Sequence, residues 1–453
     1  MKKQNDFLNG KPIKSIILFA LPIMVSSLLQ YNYIIVDNII VGRYISTDAL
    51  AAVGSVGAIN SFIIGAALGL TSGFTIPVAH AYGKGDKKEV AHFAGNSVSL
   101  AFMIGISLVI IAHIISTPLL RLVDTPEEII GLSSSYVNML YYAIPFQMLS
   151  NNFTAISRAV GDSKKPLYFF GVSVVVNFIL DIVFVKYLKL GVEGAAFATL
   201  ISHFVAALLN GIYIFKSVER IGIKKQDLVP EKKTIKHQLK LGVPVSLQFT
   251  ITSIGSMCLQ SAVNSFGPNV IAGFTAAGRV ENLTNIPMSA LGVATQTFVG
   301  QNYGAKKYSR ITDSVKKIFA LDLCISVLMS AILMTVGPLA VTLFMTEQNP
   351  EIMFAAESYI KAIGTCYSLV ATLFVFRNTL QGLGFTYANT IAGVGELVGR
   401  ITVAFVLTSV FGFNAVCYAG PAAWFLADIP LIIIYLTKHN KLKRLSQDEK
   451  LLV

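Results

Sequence analysis

Charge is scarce in this chain: 13% of its 453 residues are Asp, Glu, Lys or Arg, against about 25% in a soluble protein. A chain so short of charge has little with which to cover a water-soluble domain. Cysteine is also sparse. Cys258, Cys324, Cys366 and Cys417 stand isolated inside apolar runs, a pattern that excludes clustered metal ligands and suits small hydrophobic packing residues. The six histidines (His80, His92, His113, His203, His237 and His439) show no ligand spacing, which argues against a metal-dependent enzyme in the membrane. A small-residue cleavage site is missing after the first apolar run, which is also too long for a signal peptide, so no cleaved leader is expected.

What fills the chain is hydrophobic sequence, 54% of all residues. A transmembrane helix needs about 20 mainly apolar residues. Twelve runs qualify, near 15–40, 50–80, 90–117, 128–156, 166–187, 191–215, 239–266, 269–300, 315–345, 353–380, 386–411 and 414–437. They leave no room for a soluble domain.

The net charge of +12 invites a nucleic-acid reading, but the placement of the basic residues opposes it. With a cytoplasmic N-terminus, 29 of the 36 Lys and Arg fall on the inner side, from Lys2, Lys3, Lys11 and Lys14 through Arg220 in the central linker and Arg377 to the C-terminal tail. Outer loops receive Arg43, Arg121, Lys186 and Lys189; Arg279, Lys361 and Arg400 fall within spans. This asymmetry is the positive-inside rule for twelve helices with both ends in the cytoplasm. It predicts a multi-pass plasma-membrane protein with no nucleic-acid partner.

The two halves are copies. Leu21-Pro22 recurs as Val243-Pro244, Leu50-Ala51 as Ile271-Ala272, Tyr82-Gly83 as Tyr303-Gly304, and Gly161 as Gly384, at a nearly constant offset. Six helices separate the copies, so both enter the membrane from the same side. A pseudo-twofold axis along the membrane normal and a central path between two lobes follow from that parity. The expected fold is an all-α integral membrane protein of twelve transmembrane helices, in two pseudo-symmetric six-helix lobes forming a V-shaped cleft. The expected division is an N-lobe over 1–216, a basic linker over 217–238, a C-lobe over 239–437 and a tail over 438–453. Gly65, Gly69 and Gly73 form a small-residue stripe that lets helices approach closely.

Ionisable groups inside a bilayer are costly, about 2.5–3.5 kcal/mol each on insertion scales, so each asks for a reason. Asp37 lies in the outer half of the first run; Asp181 lies in the fifth, one helical turn after Asn177. No basic residue is near either in sequence. Two such carboxylates meeting in a low-dielectric lobe can hold a proton or take a sodium ion. Asp37 aligns with Leu259 in the second half and Asp181 with Ala404 or a neighbour, so neither acid is repeated and ion coupling is expected in the first lobe alone. Elsewhere, Glu396 and Arg400 are spaced as an intrahelical ion pair, whereas Arg279 and Glu281, two apart, each need another partner. Pro22, Pro244 and Pro145 are placed to bend the helices that contain them.

Taken together, these stretches resemble the multidrug and toxic compound extrusion (MATE) family. The resemblance rests on Leu21-Pro22 with Val36-Asp37-Asn38-Ile39-Ile40-Val41-Gly42-Arg43, on Leu50 to Gly54, on Tyr82-Gly83, on Arg158 to Asp162, on Asn177 to Asp181 and on Gln301 to Ala305. It covers about residues 13–437, and its pattern is similar to the DinF-like branch. The resemblance implies an antiporter that exports organic cations and related amphipathic compounds against inward H⁺ or Na⁺ flow, without a cofactor. It implies an ion site of Asp37, Asn177, Asp181 and Thr199 and a helix bend at Pro22. The acids of a NorM-like second site on the seventh and tenth helices are absent, since Glu357 lies at the outer start of the tenth. Tyr31, Tyr33, Phe146, Met148, Gln248, Met257, Glu281 and Met288 are candidates for the cleft lining, where aromatic faces, carboxylates and adaptable Met side chains suit flat cations. A monomer is expected. The rival readings are a lipid-linked oligosaccharide flippase, which wants a more basic cleft, and a major-facilitator porter, which wants an arginine-bearing loop after its second helix.

Overall fold

The structure, a computed structural model, describes residues 6–122, 126–217, 221–344 and 349–451. Lys2, Lys3 and Arg220 of the charge count lie outside them. Among the described residues the regular structure is helical throughout. In chain order the helices are α1 (Pro12–Tyr44), α2 (Thr47–Phe74), α3 (Ile76–Lys84), α4 (Lys87–Leu122), α5 (Glu127–Tyr141), α6 (Ile144–Ala159), α7 (Lys164–Asp181) and α8 (Gly191–Lys216). They continue with α9 (Lys232–Asn264), α10 (Pro268–Gly304), α11 (Tyr308–Thr342), α12 (Pro350–Thr365), α13 (Ser368–Gly382), α14 (Tyr387–Thr402), α15 (Thr408–Phe411), α16 (Phe413–Cys417) and α17 (Ala419–Leu451). Among the described residues nine continuous helical segments are long and apolar enough to cross a membrane, and the pair α12–α13, bent by 56°, makes a tenth. The pair α5–α6 and the 37-residue α10 occupy the other two predicted runs.

The duplication is visible in the backbone. Gly161 and Gly384, matched by sequence, turn with φ of 87° and 85°; Gly191 and Gly412 turn with φ of 64° and 59°. A π-helical turn follows α7 at Ile182–Tyr187, and another follows α14 at Val403–Leu407. The helix end at Gly85 (φ 80°) recurs at Lys306 (φ 58°), where a lysine adopts the left-handed conformation that glycine takes in the first copy.

The chain forms two compact units: Leu21–Val243, and Asp6–Ala20 together with Pro244–Val453. This division departs from the lobe limits expected above. The first turns of α1 belong to the second unit, and the first turns of α9 belong to the first. The crossover falls at Leu21-Pro22 and Val243-Pro244, the matched proline pair, and both prolines sit inside continuous helices.

In the first unit, α6 packs between α4 and α8, and α7 lies along α8. One buried cluster gathers Val53, Val137, Tyr141, Met148, Val185 and Ala195; a second gathers Val78, Ala94, Phe153, Ile156 and Ile214. The start of α9 joins this unit through Gln238, whose amide donates to the carbonyls of Phe74 (3.2 Å) and Phe93 (2.8 Å). A Cβ on Gly73 would lie 2.3 Å from the Gly242 Cα, so the glycine permits α2 and α9 to touch backbone to backbone. Pro145 does not kink a continuous helix. The run breaks at Tyr142–Ala143, and Pro145 occupies the first turn of α6, where its missing N–H leaves no bond unmade.

In the second unit α10 packs along α11, α12 and α13, while α14 lies along α17. The α14–α17 seam is lined by small residues: a Cβ on Gly395 or Gly399 would collide with the α17 backbone at Leu426 or Ala423. The stub Asp6–Ala20 is anchored by Phe7, 1% exposed, whose ring contacts Phe19 and Phe298. The Phe7 carbonyl accepts from Asn302 Nδ2 (3.2 Å) and Arg310 Nε (3.1 Å).

Candidate functional site

The first unit buries the acids that the sequence singled out. Tyr33 and Asp37 are one turn apart on α1, and Asn177 and Asp181 one turn apart on α7, so each pair shares a helix face. Thr199 and Ser202 come from α8, and Tyr136 from α5. Asp37 is 9% exposed, Asn177 2%, Asp181 1% and Thr199 6%. The carboxyl groups of Asp37 and Asp181 are direct neighbours, with Tyr33 and Tyr136 within electrostatic reach of both. Tyr33 Oη and Thr199 Oγ1 are 3.1 Å apart. Asp37 Oδ1, both oxygens of Asp181 and the Asn177 amide nitrogen are buried with no hydrogen-bond partner.

The local cause of this placement is the end of α7. Asp181 is its last α-helical residue before the π turn, where the widened helix displaces the backbone bonds to an i→i−5 pattern such as Leu188 N to Val183 O (2.9 Å). The arrangement therefore presents oxygen atoms and no compensating cation: none of the ion pairs among the described residues reaches Asp37 or Asp181. Two buried carboxylates in contact cannot both stay ionised at low cost. A proton shared between them, or a cation held by the carboxylate, amide and hydroxyl oxygens, relieves that cost.

Tyr33, a candidate for the cleft, is bonded within this cluster. Met148 and Met288 are fully buried and Gln248 is 4% exposed, which does not support their reading as cleft lining; Met148 packs in the buried cluster with Val53 and Tyr141. Tyr31, Phe146 and Glu281 are partly exposed and Met257 is 43% exposed, so these remain accessible. Phe146 stacks edge-on against Phe204 at 5.3 Å. Arg377, counted above among inner-loop residues, is instead buried in α13 and bound to Glu396 of α14. Arg400 completes the expected pair with Glu396 at 3.3 Å. Glu281 finds the partner it needed in Tyr359 Oη, at 2.6 Å, and Arg279 lies over the Phe344 ring.

The MatE family model matches the chain twice, over residues 22–183 and 244–406. This chain is a member of the MatE family. The double match reproduces the repeat found in the sequence. The chain is 29% identical over 446 residues to the probable multidrug resistance protein YoeA of Bacillus subtilis (strain 168), covering 96% of each chain. It is 30% identical to the probable multidrug resistance protein YpnP of the same organism, over 84% of this chain and 85% of that one. Among solved structures, an outward-facing multidrug resistance MATE family transporter of the MOP superfamily superposes with a TM-score of 0.90 at 25% identity, over 98% of this chain and 99% of that chain. The protein is thus a twelve-helix membrane transporter and not an enzyme. Tyr136, which faces both acids, and Ser202, which reaches Tyr33, escaped the sequence reading, because a tyrosine or serine in an apolar helix carries no mark of the cluster it will join.

Proposed function

We propose that this MatE member is a cation-coupled antiporter that exports organic cations and related amphipathic compounds from the cell by alternating access. The observation that carries the reading is the buried contact between Asp37 and Asp181, which has no basic partner among the described residues. Each turnover passes one H⁺ or Na⁺ through that site, with Asn177 and Thr199 supplying further polar contacts. Occupation by the ion neutralises the acid pair and favours release of the exported compound; its departure restores the surplus negative charge and favours reloading. Relatives carrying the name multidrug resistance support the substrate class. The lobe holding Asp37 and Asp181 is the coupling lobe, as in a DinF-like transporter, and the protein works as a monomer in the plasma membrane with both termini cytoplasmic. Tyr31, Phe146, Met257 and Glu281, which keep some exposure, are the contacts offered to the exported compound.

The test is efflux of a fluorescent organic cation from proteoliposomes with pH and sodium gradients imposed separately. One gradient should drive export in the wild type, and Asp37→Asn and Asp181→Asn should each lower that gradient-driven rate at least about 100-fold while leaving insertion intact. Wild-type rates in either variant would place the coupling elsewhere. Movement of a labelled lipid in place of the cation would favour the flippase reading.

A further inference from the structure

The second unit contains a separate array of charges, buried at Arg377, Glu396 and Asp428, that takes no part in holding the coupling ion at Asp37 and Asp181. Glu396 of α14 sits at its centre. Its Oε1 accepts from Arg377 of α13, and its Oε2 accepts from Arg400 Nη1 (3.3 Å) and Thr252 Oγ1 (3.1 Å). Beyond Arg400, within electrostatic reach, lies Glu281 of α10, which accepts from Tyr359 Oη (2.6 Å) and Asn285 Nδ2 (3.2 Å). Beyond Arg377, again within reach, lies Asp428 of α17. The order is Asp428, Arg377, Glu396, Arg400, Glu281: acid and guanidinium alternate across four helices.

The array has three acids and two guanidiniums, and arginine does not lose its proton in proteins. With every acid ionised it carries one uncompensated negative charge in a low-dielectric interior, a costly state that uptake of a proton removes. Hydrogen bonding decides where that proton goes. Glu396 has three donors and Glu281 two. Asp428, 3% exposed, has none on either oxygen, and the Nε of neighbouring Arg377 also lacks an acceptor. Among the described residues no ion pair reaches Asp428. α11 contributes Asp322, buried and likewise without donors, and its Lys316 lies within electrostatic reach of His439, about three turns further along α17; α12 carries the solvent-facing pair Glu357–Lys361; α16 and the Val403–Leu407 turn carry no charge.

We propose that the second unit holds its own proton-binding site at Asp428, distinct from the Asp37–Asp181 pair. The carboxylate takes one proton to become a neutral acid. In the ionised state Asp428 draws on Arg377; in the neutral state Arg377 is left to Glu396, so one proton adjusts how α13, α14 and α17 are tied. This inference stands whether or not the first unit couples an ion.

The molecule contains its own reporter. The chain has a single tryptophan, Trp424, 7% exposed and one helical turn before Asp428 on α17. The emission of the full-length protein in detergent should be titrated from about pH 5 to about pH 9, the range in which buried carboxyls ionise. The wild type should show a one-proton transition that is lost in Asp428→Asn and kept in Asp322→Asn, Asp37→Asn and Asp181→Asn. Asp428→Glu, which retains an acid should the amide variant fail to fold, should keep the transition with a displaced midpoint. A featureless wild-type titration, a transition that survives Asp428→Asn, one lost with Asp322→Asn or Asp181→Asn, or an unmoved midpoint in Asp428→Glu would each overturn the assignment.

Discussion

At the scale of single residues, the repeat supplies its own controls. Lys306 holds φ of 58° where the first copy has Gly85 at 80°. A side chain in that conformation costs about 1–2 kcal/mol, partly offset by the greater freedom of glycine in the unfolded chain. Lys306→Gly should therefore raise stability by about 0.5–1 kcal/mol, visible as a higher melting midpoint in detergent. Glu231 offers a pH test outside the membrane. The hydrogen bond from the Thr234 hydroxyl, with His92 beside the same carboxylate, holds its pKa below the ordinary glutamate value. A depressed acid stabilises above its unfolded pKa and loses that contribution as pH falls through the folded value. Amide protection of the linker around Glu231 should thus hold above pH 4.5, the ordinary value, and fade below it; hydrogen exchange across that range measures it. Asp37 and Asp181 were legible in the sequence because an acid amid apolar residues has no local excuse. The bond between Arg377 and Glu396 was not: the i, i+4 neighbour Arg400 accounted for the glutamate, and a partner on another helix leaves no periodic trace.

At the scale of elements, close approach depends on absent side chains. Gly73 faces Gly242 so tightly that an added methyl group would meet backbone, which cannot rotate away as a side chain can. Gly73→Ala should lower stability by about 1–3 kcal/mol, the usual range for overpacking, and thermal unfolding in detergent would register it. The glycine stripe was readable in the sequence, although its opposite number on α9 was not. Neither π turn could be anticipated, since Val403–Leu407 is ordinary apolar sequence and Ile182–Tyr187 departs from it only at its end, at Lys186 and Tyr187. Pro145 was read as a bend inside one helix for a related reason: proline marks where a helix cannot continue its bonding, but it serves equally well in the opening turn of the next helix.

At the scale of the whole molecule, the twelve runs, the repeat and the family pattern were all present in the sequence, because the bilayer imposes length and polarity on every span. The place where one unit gives way to the other was not, because the linker at 217–238 marks where the chain turns polar and not where packing changes. Packing changes at Pro22 and Pro244. Replacing either with alanine removes a residue about 3 kcal/mol less favourable in a helix interior. Pro22→Ala and Pro244→Ala should leave stability equal or higher yet slow transport at least about tenfold, if these positions bend during the cycle; parallel melting and efflux measurements separate the two effects. The exchanged stubs also govern what happens when the polypeptide is severed. A cut within 221–224 would give an amino-terminal fragment bearing Phe7, Ile16 and Phe19, which complete the other unit's interior, and deprived of Gln238 and Gly242, which complete its own. Each piece would lack a segment of its own unit, so each should be degraded when made alone and both rescued when made together.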